Sequence, residues 1–240
     1  MSETPGGKLA LHGGNPVRTK AMPTRNLFRR EELKAIKRLF KENAKNGTDF
    51  GYNGAAEQRY EKAFADFMGG GYADGVNSGT NALFCAIGAL RLDAFSEIVA
   101  PPITDPGGAM PIIFNGCVPV FADADPRTYN TNAEEIERVL TDRTRAIVIA
   151  HIAGEPVDLD PVMRLAEKHE LLIIEDCAQA PGAKYKGTKV GNFGDCGIFS
   201  FQETKNMMTG EGGMLVTNDE NIAKTAQMIR NHGEMVLETD

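Results

Sequence analysis

The spacing of hydrophobic residues changes near residue 70. Before it, apolar residues recur at helical intervals: Leu33, Ile36, Leu39 and Phe40 within 31–46, then Tyr60, Phe64 and Phe67 within 57–68. Both stretches read as helices, and Gly69-Gly70-Gly71 stops the second. From Tyr72 onward, short apolar runs alternate with helical stretches. The runs 72–76, 97–100, 118–122, 146–151, 171–175, 197–201 and 213–217 read as strands. The segments 80–92, 133–140, 159–169 and 220–231 read as helices. The run 146–150 is apolar throughout, which suits a strand buried on both faces.

This alternation predicts an α/β fold, with a mostly parallel central sheet of about seven strands and helices on both faces. Residues 1–26 carry Gly and Pro without periodicity and are expected to form an N-terminal arm, with one large domain over 27–240. In such a sheet the ligand sits beyond the carboxyl ends of the strands, so the informative residues should follow apolar runs.

Composition narrows the partners. A formal charge of -7 disfavours nucleic acid. Residues 1–8 lack the apolar core of a secretory leader, and no stretch approaches the ~20 apolar residues of a membrane span. A cytoplasmic protein without a membrane partner is expected. Cys85, Cys117, Cys177 and Cys196 form no CxxC, so free thiols and no metal are expected. His12, His151, His169 and His232 form neither a metal set nor a triad with a serine. His151 reads as a strand-end residue bonded to backbone, with a pocket role as the alternative.

Three places carry chemistry. Asn77-Ser78-Gly79-Thr80-Asn81 follows a strand and opens a helix, so its hydroxyls and first-turn amides form either a phosphate cradle or a plain helix cap. Asp176 ends a strand beside Glu175, where a carboxyl group holds a proton on a ring nitrogen, caps a helix, binds a metal or forms a salt bridge. Lys205 lies beyond the strand 197–201 with Ser200 and Thr204. A lysine there forms an imine with a carbonyl or is simply a solvated surface residue. The Gly-rich turn Thr209-Gly210-Glu211-Gly212-Gly213 allows backbones to approach closely.

The order of Ser78-Gly79-Thr80-Asn81-Ala82-Leu83, Glu175-Asp176-Cys177-Ala178-Gln179-Ala180, Ser200-Phe201-Gln202, Thr204-Lys205-Asn206 and Thr209-Gly210-Glu211-Gly212-Gly213 resembles the DegT/DnrJ/EryC1/StrS aminotransferases. Weaker markers extend the likeness over nearly the whole chain, from Gly13-Gly14-Asn15-Pro16-Val17 to Arg230-Asn231-His232-Gly233. These are pyridoxal 5'-phosphate (PLP) enzymes of fold type I, many acting on nucleotide-linked keto-sugars. The resemblance implies that Lys205 is the Schiff-base lysine and Asp176 the partner of the pyridine nitrogen. It places Gln179 near the ring, puts Ser78, Gly79, Thr80 and Ser200 around the phosphate, and assigns Asn206 to a phosphate or substrate group. It further implies a homodimer, and transfer of an amino group from an amino donor, glutamate, to a keto-sugar.

Two departures qualify this likeness. Ile103-Thr104-Asp105-Pro106-Gly107 puts Asp105 about where the family places an aromatic residue over the cofactor ring. Family members also continue into a smaller C-terminal domain, which is not expected within these residues. Lys205 argues against the sugar dehydratases of the family, which carry histidine there. A rival of another class is a non-catalytic or truncated protein that keeps the fold for binding or regulation.

Overall fold

The computed structural model describes residues 8–24, 28–48 and 50–234. The chain forms two compact units that divide after Thr48. The first holds a short 3-10 turn, Ala10–His12, and helix α1, Arg30–Asn46. Glu32 caps α1 by accepting the Arg29 amide at 2.6 Å, and Gly47 ends it at a φ of 64°. The apolar stripe expected on this helix is present, yet Leu33, Ile36 and Phe40 are all exposed. Residues 1–7 and 25–26 of the expected arm lie outside the described residues.

The second unit follows the predicted alternation. Its elements are α2 (Ala55–Met68), β1 (Tyr72–Val76), α3 (Gly79–Ala89), β2 (Glu97–Ala100), α4 (Met110–Phe114) and β3 (Val118–Phe121). After these come α5 (Ala133–Val139), β4 (Thr144–Ala150), α6 (Leu159–His169) and β5 (Leu172–Asp176). A small hairpin, β6 (Lys184–Tyr185) and β7 (Thr188–Lys189), precedes β8 (Cys196–Ser200), β9 (Gly213–Thr217) and α7 (Glu220–Arg230). The seven-stranded sheet has the order β1-β9-β8-β5-β4-β2-β3. Neighbours from β8 to β3 are parallel, and β9 runs against both β8 and β1. No described helix is long and apolar enough to cross a membrane.

The period of two along a strand divides the core. Ile147 and Ile149 of β4, Ile173 of β5 and Phe199 of β8 pack with Phe64 of α2 and Leu159 and Val162 of α6. Ala146, Val148, Ile174 and Ile198 face the other way, onto Leu83 and Ala86 of α3, Ile112 of α4 and Ala226 of α7. Helices therefore cover both faces of the sheet. All four cysteines are free and buried.

Boundaries shift where polarity and burial disagree. β4 starts at Thr144, two residues earlier than expected, because Thr144 is buried and only Arg145 faces water. α3 ends at Ala89 rather than 92, where Arg91 takes a φ of 53°. The five residues of α4 and the two-residue strands β6 and β7 are too short to show a period.

One long-range ion cluster fastens the β1 edge. Arg230 Nη1 of α7 lies 3.1 Å from Asp74 Oδ1 of β1, 3.1 Å from Glu61 Oε1 and 2.5 Å from Glu57 Oε1 of α2. Burial pushes the Asp74 carboxyl up to about 7, the Arg230 charge working against this and Glu61 and Glu57 adding to it. A raised folded value means that the native state holds this proton more tightly than the unfolded chain. Stability from this group is therefore complete in acid and falls as pH rises from about 4 to about 7. Asp74→Asn should accordingly unfold later than the unaltered protein at pH 8, by on the order of 2–4 kcal/mol, with the gap closing below pH ~4. Denaturant titrations at the two pH values check it, and a gap independent of pH contradicts it.

Candidate active site

The carboxyl ends of the parallel strands carry two neighbouring acids. Because side chains alternate along β5, Glu175 follows Ile173 to one face and Asp176 follows Ile174 to the other. Glu175 is wholly buried. Its Oε1 accepts the amides of Phe193 (2.6 Å) and Gly194 (2.9 Å), and its Oε2 accepts that of Gly191 (2.8 Å). The same Oε2 lies 3.1 Å from His151 Nε2. His151 Nδ1 accepts the Val157 amide at 3.1 Å, so the ring hydrogen sits on Nε2 and donates to Glu175. This agrees with a strand-end histidine bonded to backbone.

His151, Glu175 and Cys177 bring three ligand-type atoms within 4.8 Å of one another. The lone pairs of the first two are committed to N–H donors, and burial raises the Cys177 thiol well above its ordinary value. The group holds the 191–194 loop against β5 and offers a metal little.

Asp176 instead faces a cavity of 330 Å³ at the start of α3. Its Oδ1 accepts the Ala178 amide at 2.9 Å. Burial raises its carboxyl above the ordinary value, while the Ala178 amide and the Lys205 charge oppose the rise and Asp105 adds to it. Ser78, Gly79, Thr80, Ser200 and Lys205 line the same cavity, with Asp105, Gly107, Gly108, Gln202, Thr204 and Glu211.

Local geometry explains this convergence. Ser78 caps α3 by accepting the Asn81 amide at 3.1 Å, which leaves the Gly79 and Thr80 amides without a partner inside the helix. The helix start presses against β8, since a side chain on Gly79 would stand 2.6 Å from Ser200 Cβ. A side chain on Gly213 would meet the Ser78 carbonyl at 2.3 Å. Beyond β8 the chain closes a turn. Phe201 donates to Gly212 O (2.8 Å), Thr209 to Phe201 O (2.9 Å) and Lys205 to Gln202 O (2.9 Å), while Gln202 Oε1 accepts from the Thr204 amide (2.8 Å). These bonds fix Lys205 just past the strand end.

Six of the residues singled out from the sequence thus meet in one cavity: Ser78, Gly79, Thr80, Asp176, Ser200 and Lys205. Gln179 and Asn206 are exposed and do not line it. The Gln179 side-chain Oε1 accepts the Ala153 amide at 2.8 Å, in a turn where Ala153 has a φ of 54°. Sequence reasoning missed Glu211, Gly107 and Gly108 as lining residues, and the glycine pair after Pro106 was the available signal. A larger cavity of 710 Å³ adjoins the loop through Asn77 and Asn81, and Tyr60, Phe84, Phe201 and Ile229 make it mainly apolar.

Comparison with known proteins adds a family to this geometry. Residues 30–239 match the DegT/DnrJ/EryC1/StrS aminotransferase family. GDP-perosamine synthase of Caulobacter vibrioides is 42% identical over 174 residues, 72% of this chain and 47% of that protein. L-glutamine:2-deoxy-scyllo-inosose aminotransferase of Streptomyces lividus is 35% identical over 230 residues, 95% of this chain and 54% of that protein. A solved structure of the E. coli GDP-4-keto-6-deoxy-D-mannose-3-dehydratase with bound hydrated PLP superposes with a TM-score of 0.79 at 30% identity, covering 86% of this chain and 53% of that one. The chain spans about half the length of the curated relatives it matches.

The contact between α3 and β8 makes a direct prediction. Gly79→Ala should destabilise the protein by about 1–3 kcal/mol through overpacking against Ser200. The same change in a Ser200→Gly background should cost at least about 1 kcal/mol less. A double-mutant cycle by chemical denaturation measures the coupling, and strict additivity contradicts the close approach.

Proposed function

This chain belongs to the DegT/DnrJ/EryC1/StrS aminotransferase family, and on that premise we propose that it is the cofactor-binding part of an enzyme that moves an amino group from an amino acid to a keto-sugar. The observation that carries the reading is the meeting of a lysine, a half-buried acid and a hydroxyl-lined helix start in one 330 Å³ cavity at the strand ends. The cofactor is pyridoxal 5'-phosphate, which the solved dehydratase structure holds in hydrated form. The residues present fit it: an amine for an aldehyde, a carboxyl group for a ring nitrogen, and amides with hydroxyls for a phosphate. The glycines at 79 and 107 leave no space that a side chain could fill. Bound there, PLP supplies an aldehyde that takes up the amino group and a ring that withdraws electrons from it.

The roles of the chain's own residues follow. Lys205 Nζ would hold the cofactor through its aldehyde and, once released by the incoming amine, act as the base and acid that moves a proton at the substrate carbon. Asp176, with Oδ1 tied to Ala178, holds a proton at the ring nitrogen. Ser78, Thr80 and Ser200 hydroxyls and the free amides of α3 grip the phosphate, aided by the helix dipole. Gln179 and Asn206 stand outside the cavity as described, so their assigned contacts require their side chains to turn inward. The acceptor is a nucleotide-linked sugar or a cyclic polyol ketone, in keeping with the names of the perosamine and inosose relatives. Glutamate is the expected donor, with glutamine as its rival on the strength of the Streptomyces relative. The working form is a cytoplasmic homodimer. Met110, Ile113 and Phe114 of α4 and Phe121 of β3 are exposed apolar residues that a second copy would cover.

Borohydride treatment of the PLP-loaded protein should fix the label on Lys205, and Lys205→Ala should take up no label. A label on another lysine contradicts the assignment. Asp176→Asn should fold normally and lose transamination by ~100-fold or more, since the amide cannot hold the ring-nitrogen proton with a charge. Near-normal turnover in that variant removes Asp176 from the mechanism.

A further inference from the structure

Asp105 opens the turn Pro106–Gly108 in the wall of the 330 Å³ cavity. Its Oδ1 accepts the Gly107 amide at 2.9 Å, and its carbonyl accepts the Gly108 amide at 2.8 Å. The turn is packed tightly onto its neighbours. A side chain on Gly107 would stand 2.3 Å from Thr80 Oγ1, and one on Gly108 would stand 2.4 Å from Thr104 Oγ1. The position of Asp105 is therefore fixed relative to the start of α3, and one of its oxygens is committed.

The other oxygen is available. Among the described residues the hydrogen bond to its carboxylate is made at Oδ1, and the residue is exposed to solvent. Lys205 is the cationic residue of the cavity wall, against Asp105, Asp176 and Glu211. Asp105 is felt at Asp176, whose carboxyl it helps to raise. In the open cavity Oδ2 is hydrated at no cost. A ligand that enters displaces that water, and the loss is recovered only where the ligand supplies a donor. A site of this kind rejects an analogue that lacks the donor.

We propose that Asp105 is a specificity-determining residue, whose Oδ2 accepts a hydrogen bond from a hydroxyl group of the amino acceptor. This rests on the aminotransferase reading above and adds to it a requirement for a hydroxylated acceptor. A capping role alone does not account for a carboxyl group here, because serine or asparagine also caps such a turn.

The test uses the protein loaded with pyridoxamine phosphate in a Lys205→Ala background, so that binding is measured without turnover. Two ketones serve as probes, a polyhydroxylated cyclohexanone (an inosose) and cyclohexanone itself. Asp105→Ser and Asp105→Asn both retain an oxygen for the Gly107 amide, and unchanged thermal midpoints verify this. Both should weaken inosose binding by about 10-fold in calorimetric titrations and leave cyclohexanone within about 2-fold. Equal effects on the two ketones, or none on either, overturn the role of Asp105. If the protein with Asp105 intact binds neither ketone, and the enzyme with Lys205 aminates neither, this inference falls, while the aminotransferase reading is decided separately by whether borohydride labels Lys205.

Discussion

The alternation of side chains along β5 sends two adjacent acids to opposite faces of the sheet, and the rest of the site depends on that separation. Glu175 enters the core between β5 and the 191–194 loop, where three amides and His151 meet its two oxygens. Asp176, one residue on, meets a single amide and the cavity. A buried polar group surrounded by donors anchors the structure, whereas one with spare capacity is open to chemistry. The two residues have the same functional group, and their surroundings separate their roles.

Around this strand end, close backbone approaches draw the other groups inward. Gly79 allows α3 to touch β8, Gly213 allows β9 to pass the Ser78 carbonyl, and Gly107 allows the Asp105 turn to reach Thr80. Each contact brings one more polar side chain to the cavity rim. The parallel strands aim their ends the same way, so residues distant in sequence, such as Thr80, Asp176 and Lys205, meet without a long loop. The antiparallel strand β9 returns the chain beside β8 and closes the turn that holds Lys205.

Much of this was legible from the order of residues. Uninterrupted apolar runs such as 146–150 marked the buried strands, and the residues just after them marked the cavity. Ser78, Asp176 and Lys205 all stand in that position. The rest depended on contacts between distant segments. The Arg230 cluster joins residues up to 173 apart in sequence, and no local pattern announces such a pairing. The side chain of Gln179 went to the Ala153 amide because a left-handed turn placed that donor within reach. Glu175 read as an ordinary neighbour of Asp176, because its amide partners lie in a loop without periodicity. α1 shows the opposite limit, with an amphipathic pattern whose apolar stripe is exposed.

The division of labour between Glu175 and Asp176 is the central claim, and one pair of variants measures it. Glu175→Gln and Asp176→Asn make the same nearly isosteric change on neighbouring residues, and both are compared with the unaltered protein by denaturant unfolding at pH 7 without cofactor. In Glu175→Gln an amide NH₂ must face at least one buried N–H, so a loss of about 2–4 kcal/mol is expected. In Asp176→Asn the Ala178 bond persists and the burial cost of a charge is removed, so stability should be equal or higher. Equal losses in the two variants, or a greater loss in Asp176→Asn, would contradict the account.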